Sequence, residues 1–317
     1  MTRAQYVRGL ARVDRIRHET TGSPQRMAAI QRGAVLADVG RNSAYAKAVA
    51  LGWITPIRGA FRGELPITAN EASLGAVGVV GAGSASRTFA RRLKREVPGT
   101  GNQVGYRAAQ VFARTLGMRY NHPAGSERFE VGPGEAMRVG HVAYMLRAAA
   151  TAPSWRISGL QEYTRFDIPA LGAHQRTVLS AGVRLIGQPY VWGGETEGTQ
   201  PEGHGGFDCS GFVWRSVMNS GVPSSERHAM GARTSMDMSN IARRQRLTRS
   251  RLRPGDIMFF GTQGPDSAPS DNFHAGVWMG NGWFIHSSGS NDGVTISRLQ
   301  GYWSDSFSWG RRILRSA

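Results

Sequence analysis

Apolar residues recur at helical spacing through the first half of the chain and follow strand-like patterns in the last quarter. Tyr45–Ile54 reads as a helix closing at Gly52, and Tyr106–Leu116 as another ended by Gly117. Thr68 followed by Glu71 has the spacing of a capping box, which marks a helix start. Amphipathic stretches open at Met1-Thr2-Arg3-Ala4-Gln5, at Ile67-Thr68-Ala69-Asn70-Glu71, and at Gly132-Pro133-Gly134-Glu135. The unit is helix, loop, helix, with a period near 65 residues: Met1 to Ile67 is 66, and Glu71 to Glu135 is 64. From about Arg147 to Ala173 the periodicity fades, and Pro153, Pro169 and Gly172 punctuate a linker or wrapping arm. The expected organisation is an all-α repeat domain over 1–148, a linker over 149–172 and a second domain over 173–317.

The second domain begins with a helix over 174–187, ended by Gly187. Pro189-Tyr190-Val191-Trp192-Gly193-Gly194 follows, then a polar, glycine-rich loop over 195–206. Phe207-Asp208-Cys209-Ser210-Gly211 leads into a buried helix, with Asp208 a natural N-cap and Cys209 at the helix start. After a turn at Leu252–Asp256, strands are expected at 257–260, 274–279, 283–287 and 294–297. The fold class is therefore α+β, helices plus an antiparallel sheet, preceded by the all-α repeats.

His274 opens one of these strands and His286 lies within the next, and the turn between them decides whether they can meet. A plain two-residue loop at Asn281-Gly282 pairs Val277 with His286 and puts the two imidazoles on opposite faces. An odd-numbered loop or a bulge pairs Gly276 with His286. The histidines then become diagonal neighbours on one face, about 7–8 Å apart between backbones. Gly280-Asn281-Gly282 permits this second arrangement, which is the one expected.

Composition narrows the chemistry. The net charge is +17, and 37 of the 39 basic residues are arginine. Residues 1–170 carry 24 basic and 11 acidic residues, so +13, and the remainder carries +4. Such an excess favours an anionic partner, although arginine-biased composition accounts for it equally well. The run Arg243–Arg253 has no interleaved aromatic recognition motif, so it reads as a solvated face and no nucleic-acid partner is expected. No apolar run reaches the length of a membrane span, and the first residues lack the apolar core of a secretory signal. Either the protein stays inside the cell or the chain begins after processing or truncation.

Cys209 is the single cysteine, so no intrachain disulfide can form. A buried structural thiol is the bland reading. The helix start argues for a nucleophile, because the helix dipole and a nearby imidazolium favour the thiolate. The Cys209 N–H can also receive an oxyanion. A cysteine on a helix start, a histidine on a strand and a third polar group resembles the order of papain-like cysteine enzymes. His174, His204 and His228 are expected on the surface without partners. His204 with Glu202 and Asp208 has irregular spacing for a metal, so neither metal nor cofactor is expected.

The segments YVWGG (190–194), FDCSG (207–211), LRPGDIMFF (252–260), HAGVWMG (274–280) and FIHSS (284–288) together resemble the NlpC-type peptidoglycan cysteine endopeptidases, over roughly 173–315. The resemblance implies Cys209 as nucleophile, His274 as general base and acid, and His286 as the orienting residue. It implies that the Tyr190 hydroxyl assists the oxyanion site and that Asp208 and Ser210 hold the free amino end of a stem peptide. The implied substrate bond joins γ-D-glutamate to a diamino acid, and the implied location is extracellular or in the cell wall. The loop 195–206 is longer than the family's, and Ala275 replaces a larger apolar residue. A wall-binding protein with an inactive domain, or an amidase or acyltransferase using the same residues, are the rival readings.

The first domain resembles S-layer-homology repeats, which anchor proteins to wall polymers. The resemblance rests on Asp38-Val39, Tyr45, Gly52-Trp53, Phe61 and Ile67-Thr68. It implies an arginine in each repeat for ligand binding. Arg3 fits, whereas Ala69 and Gly134 stand at the other two positions. An anionic wall polymer is one expected partner; a purely scaffolding role is the other reading.

Overall fold

The computed structural model describes residues 1–18, 33–123, 125–200 and 203–315, with the side chains of 198–200, 203 and 204 left aside. The chain divides into two compact units. One comprises Met1–Arg91, Gly105–Tyr120 and Pro133–Arg165; the other comprises Arg92–Val104, Asn121–Gly132 and Phe166–Ala317. No described helix is long and apolar enough to cross a membrane.

The first unit is helical. It contains α1 (Arg3–His18), α2 (Ala44–Ala50), α3 (Ala69–Val79), most of α4 (Gly83–Glu96), α5 (Val104–Thr115), α6 (Val139–Thr151) and α7 (Ser154–Gly159). Thr68 caps α3 in a full capping box: its hydroxyl accepts from the Glu71 N–H, and the Glu71 carboxylate accepts from the Thr68 N–H. The helices α1, α3 and α6 pack against one another in all three pairings. The residues just before them close a ring of backbone hydrogen bonds. Ile67 N–H donates to Met1 O (3.0 Å), Met137 N–H donates to Ile67 O (2.9 Å), and the Met1 nitrogen donates to Met137 O (3.2 Å).

That ring corrects the expected start of the third repeat. Its helix opens at Val139, not after Gly132-Pro133-Gly134-Glu135. The stretch before it is held in an extended crossing, where Asn70 N–H donates to Pro133 O and Ala69 N–H to Glu135 O. The backbone stays non-helical through Arg138 (φ −72°, ψ 155°), so Val139 is the first helical residue. Arg3, Ala69 and Val139 each lie two residues after a member of the ring, and Gly134 does not. The 149–172 stretch is also more ordered than its weak periodicity suggests. α6 runs on to Thr151, α7 follows, and a 3-10 helix over Leu160–Arg165 buries Leu160 and Tyr163.

The second unit is built on a five-stranded antiparallel sheet, order β6-β5-β4-β3-β7. Its strands are β3 (Ile257–Gly261), β4 (Asn272–Gly280), β5 (Trp283–Ser288), β6 (Gly293–Arg298) and β7 (Phe307–Arg311). Met258, Phe260, Trp278, Phe284, Leu299 and Phe307 form a core on the sheet. The helices α8 (Ala173–Arg184) and α9 (Cys209–Met218) pack together, and α9 lies on β4 and β5. The expected 195–206 loop is instead a hairpin of β1 (Glu195–Gln200) and β2 (Gly203–Phe207), with an irregular register between Thr196 and Thr199. Its polar, glycine-rich composition hides the strands.

The β4–β5 turn takes the bulged form. Asn281 and Gly282 both have positive φ, +48° and +84°, as a tight two-residue turn of this hand requires. Gly280 pairs with Trp283, the register shifts between Trp278 and Gly280, and Gly276 then pairs with His286. One extra residue in β4 therefore brings His274 and His286 to the same face.

Candidate active site

Asp208 sets the start of α9. Its Oδ1 accepts from the Gly211 N–H at 2.6 Å and from the Ser210 hydroxyl at 3.2 Å. Gly211 has no alternative, because a methyl group there would collide with the Gly194 carbonyl oxygen. Cys209 is then the first helical residue, almost fully buried, with its Sγ 3.9 Å from the Phe273 carbonyl oxygen. The Ala275 backbone also faces the thiol and favours its ionised form. The sulfur thus lies against β4 at the two residues that flank His274.

The histidines form a hydrogen-bonded chain. His274 Nε2 is 2.8 Å from His286 Nδ1, and His286 Nε2 is 2.9 Å from Ser297 Oγ. Nδ1 of His274 takes no part in this chain. The Trp303 ring sits 4.9 Å from both imidazoles, and Phe260 and Phe284 complete an aromatic surround.

This enclosure controls the charge states. Burial pushes the Cys209 thiol up to about 11, and the Asp208 carboxylate adds to the shift; backbone N–H groups of α9 and β4 oppose it. Burial also lowers His274 to about 3, and burial together with the neighbouring imidazole lowers His286 well below its ordinary value. Burial therefore opposes the thiolate that the helix start was expected to favour. Desolvation works against charge on the thiol and on both imidazoles alike.

The depressed histidines make acid stability a measurable property. An unfolded histidine titrates near pH ~6.5. Between there and about 3 the unfolded chain binds a proton that folded His274 does not. The stabilisation is complete above the unfolded value and is lost as pH falls through this window. The slope is roughly 1.4 kcal/mol per pH unit for each such histidine. Urea denaturation between pH 7 and 4 should show this decline, and His286→Gln should make it shallower. Equal slopes in both proteins would contradict neutral buried imidazoles.

Tyr190 borders the thiol. Its hydroxyl is raised above its ordinary pKa by burial first, then by Cys209 once ionised and by Asp208. One residue at this site escaped the sequence reading. Arg233 donates to Asp208 Oδ1 (3.1 Å), Ser210 Oγ (2.8 Å), Glu195 Oε2 (2.7 Å) and Gly194 O (2.9 Å). Asp208 and Ser210, expected to hold a stem-peptide amine, are thus already engaged by a guanidinium. A single arginine 24 residues beyond Cys209 (233 − 209) carries no local signal of this contact.

Two surface expectations also change. His174 Nδ1 pairs with Glu226 (2.9 Å), whose carboxylate is buried, and His228 Nδ1 bonds the Ser224 hydroxyl (3.1 Å). The expectation for the His204 side chain lies outside the described residues. Among the described residues no group of three or more His, Cys, Asp or Glu could hold a metal ion.

The NlpC/P60 family model matches residues 187–312, a span that contains Tyr190, Cys209, Arg233 and both histidines. Residues 187–312 form an NlpC/P60 domain. The match covers less than half of the chain and leaves the helical unit unassigned. Relatives of this domain are named as endopeptidases. "Probable endopeptidase YafL" of Escherichia coli K12 is 35% identical over 133 residues, 41% of this chain and 46% of the relative. "Murein DD-endopeptidase MepH" of the same organism is 34% identical over 136 residues, 42% of this chain and 43% of the relative. "Bifunctional muramidase/DL-endopeptidase CwlT" of Bacillus subtilis 168 is 32% identical over 139 residues, 43% of this chain and 36% of the relative. The chain thus spans less than half the length of each of these three.

Proposed function

We propose that this protein hydrolyses an amide bond in peptidoglycan stem peptides, with Cys209 as nucleophile. The observation that carries the reading is the juxtaposition of the Cys209 sulfur at a helix start with the strand bearing His274, whose imidazole is backed by His286. His274 Nδ1 takes the thiol proton as the sulfur attacks the carbonyl carbon. The oxyanion is received by the Cys209 N–H and the Tyr190 hydroxyl. The C–N bond breaks as His274 returns the proton to the leaving amine, giving a thioester. His274 then deprotonates a water that releases the acid and restores the thiol. Burial that opposes both charges favours proton transfer coupled to substrate attack over a standing ion pair.

The bond proposed is that between γ-D-glutamate and the diamino acid. The name of MepH favours a second reading, cleavage of a D,D cross-link. Digestion of purified peptidoglycan, with mass spectrometry of the new amino ends, tests both. A freed α-amino group on the diamino acid supports the first reading. A freed side-chain amine supports the second. Intact stem peptides would leave a wall-binding or scaffold protein, and acyl products other than free acids would point to transfer.

The catalytic domain proposed spans 173–317, and the proposed location is extracellular or in the cell wall. For residues 1–148 the proposal is a degenerate S-layer-homology-like repeat scaffold. The closed ring of Met1, Ile67 and Met137 supports a threefold arrangement of repeats. Arg3 is fully buried and spends its donors on Phe61 O, Thr55 O and Glu71, which favours scaffolding over contact of Arg3 with an anionic polymer.

A further inference from the structure

We infer that Ser297 is a positioning residue, the terminal acceptor that holds His286 in the tautomer His274 needs to act as a base. The inference rests on the hydrolase reading above, but its central claim is about proton positions and can be measured without substrate.

The contact between His274 Nε2 and His286 Nδ1, at 2.8 Å, needs one donor and one acceptor. In one arrangement His274 Nε2–H donates to His286 Nδ1. His286 then carries its proton on Nε2 and donates it to Ser297 Oγ, 2.9 Å away. His274 Nδ1 is left with a lone pair able to take the thiol proton. In the reverse arrangement Ser297 donates, His286 donates from Nδ1, and His274 carries its proton on Nδ1, where it cannot act as a base. Once His274 has accepted the thiol proton, both its nitrogens are donors. Only the first arrangement then satisfies the chain, so the charged intermediate also requires an acceptor at its far end.

Ser297 fills that place through strand register. His286 pairs with Thr295 across β5 and β6, and Ser297 lies two residues on, on the same face. Thr295 is the nearer cross-strand neighbour, yet its hydroxyl is buried and makes no hydrogen bond among the described residues. His286 is fully buried while Ser297 is half-buried, so water can touch the far side of the hydroxyl but not the ring it holds. Ser297→Ala would leave the productive arrangement with a buried, unpaired N–H. The reverse arrangement would leave only an unpaired lone pair, the lesser cost.

The test is nitrogen NMR of the labelled histidines at neutral pH, alongside hydrolysis of a soluble stem-peptide fragment. In the natural protein both His274 and His286 should be protonated on Nε2. Ser297→Ala should shift both toward Nδ1 and lower kcat about 10- to 100-fold with little change in KM. Ser297→Thr should restore both readouts, and Thr295→Val should leave the tautomers unchanged. Protonation of His286 on Nδ1 in the natural protein would overturn the inference, whatever the variants do. So would unaltered tautomers and kcat in Ser297→Ala. A natural protein with the expected tautomers but no hydrolysis would reject the hydrolase reading and leave the positioning claim standing.

Discussion

Replacing Cys209 with alanine is expected to lower stem-peptide hydrolysis by about 10⁴-fold or more, leaving product release indistinguishable from buffer. On the proposed mechanism no other group can form the thioester. The next residue, Ser210, points its hydroxyl at Asp208 and receives Arg233, so it is not free to substitute. The fold should persist. Asp208 still caps α9 through the Gly211 N–H, and loss of one sulfur from a nearly buried site costs little beside the whole domain. The measurement is the rate of new amino ends from purified peptidoglycan, with circular dichroism of the same sample. A folded variant with undiminished rate would remove Cys209 from the chemistry.

The second large effect lies in the helical unit. Glu71→Ala should destabilise that unit by about 3–5 kcal/mol, because it strands the guanidinium of Arg3 without its counter-charge in a fully buried position. Burial already lowers the pKa of Arg3, a sign of how poorly solvated it is. The same carboxylate also completes the cap on α3 through the Thr68 N–H. Glu71→Gln separates the two roles, since glutamine can keep the cap while losing the charge. Amide hydrogen exchange in α1 and α3 should report the full loss for alanine and a smaller one for glutamine. Unchanged protection in the alanine variant would show that the pair contributes nothing.

What could be read from the chain alone follows the range of the interactions involved. Asp208 before Cys209, and Thr68 before Glu71, act within one helical turn, so both helix starts were legible. The four strands from Ile257 to Ser297 were legible through their apolar runs. The side-by-side placement of His274 and His286 was legible because Gly280-Asn281-Gly282 allowed a bulge. Arg233 and Ser297 were not. Each works through a partner brought near by tertiary packing or by a cross-strand diagonal, and neither stands in a local pattern. The helix start at Val139 was not legible, because Pro133 and Gly134 look like a helix entry while the chain stays non-helical through Arg138. The burial that opposes a Cys209 thiolate was not legible for a related reason: a helix end is a local feature, but desolvation depends on everything packed around it.

On the proposed mechanism, the bulge before Asn281 makes catalytic competence a question of odd or even. Side chains on a strand alternate, so adding or removing one residue between the two histidines would turn one ring toward the core of the sheet and the other away from it. Changes of two residues would preserve the alternation. Drift in the length of this hairpin is therefore filtered by parity as well as by composition, and a lineage could silence the domain without altering any residue that touches substrate.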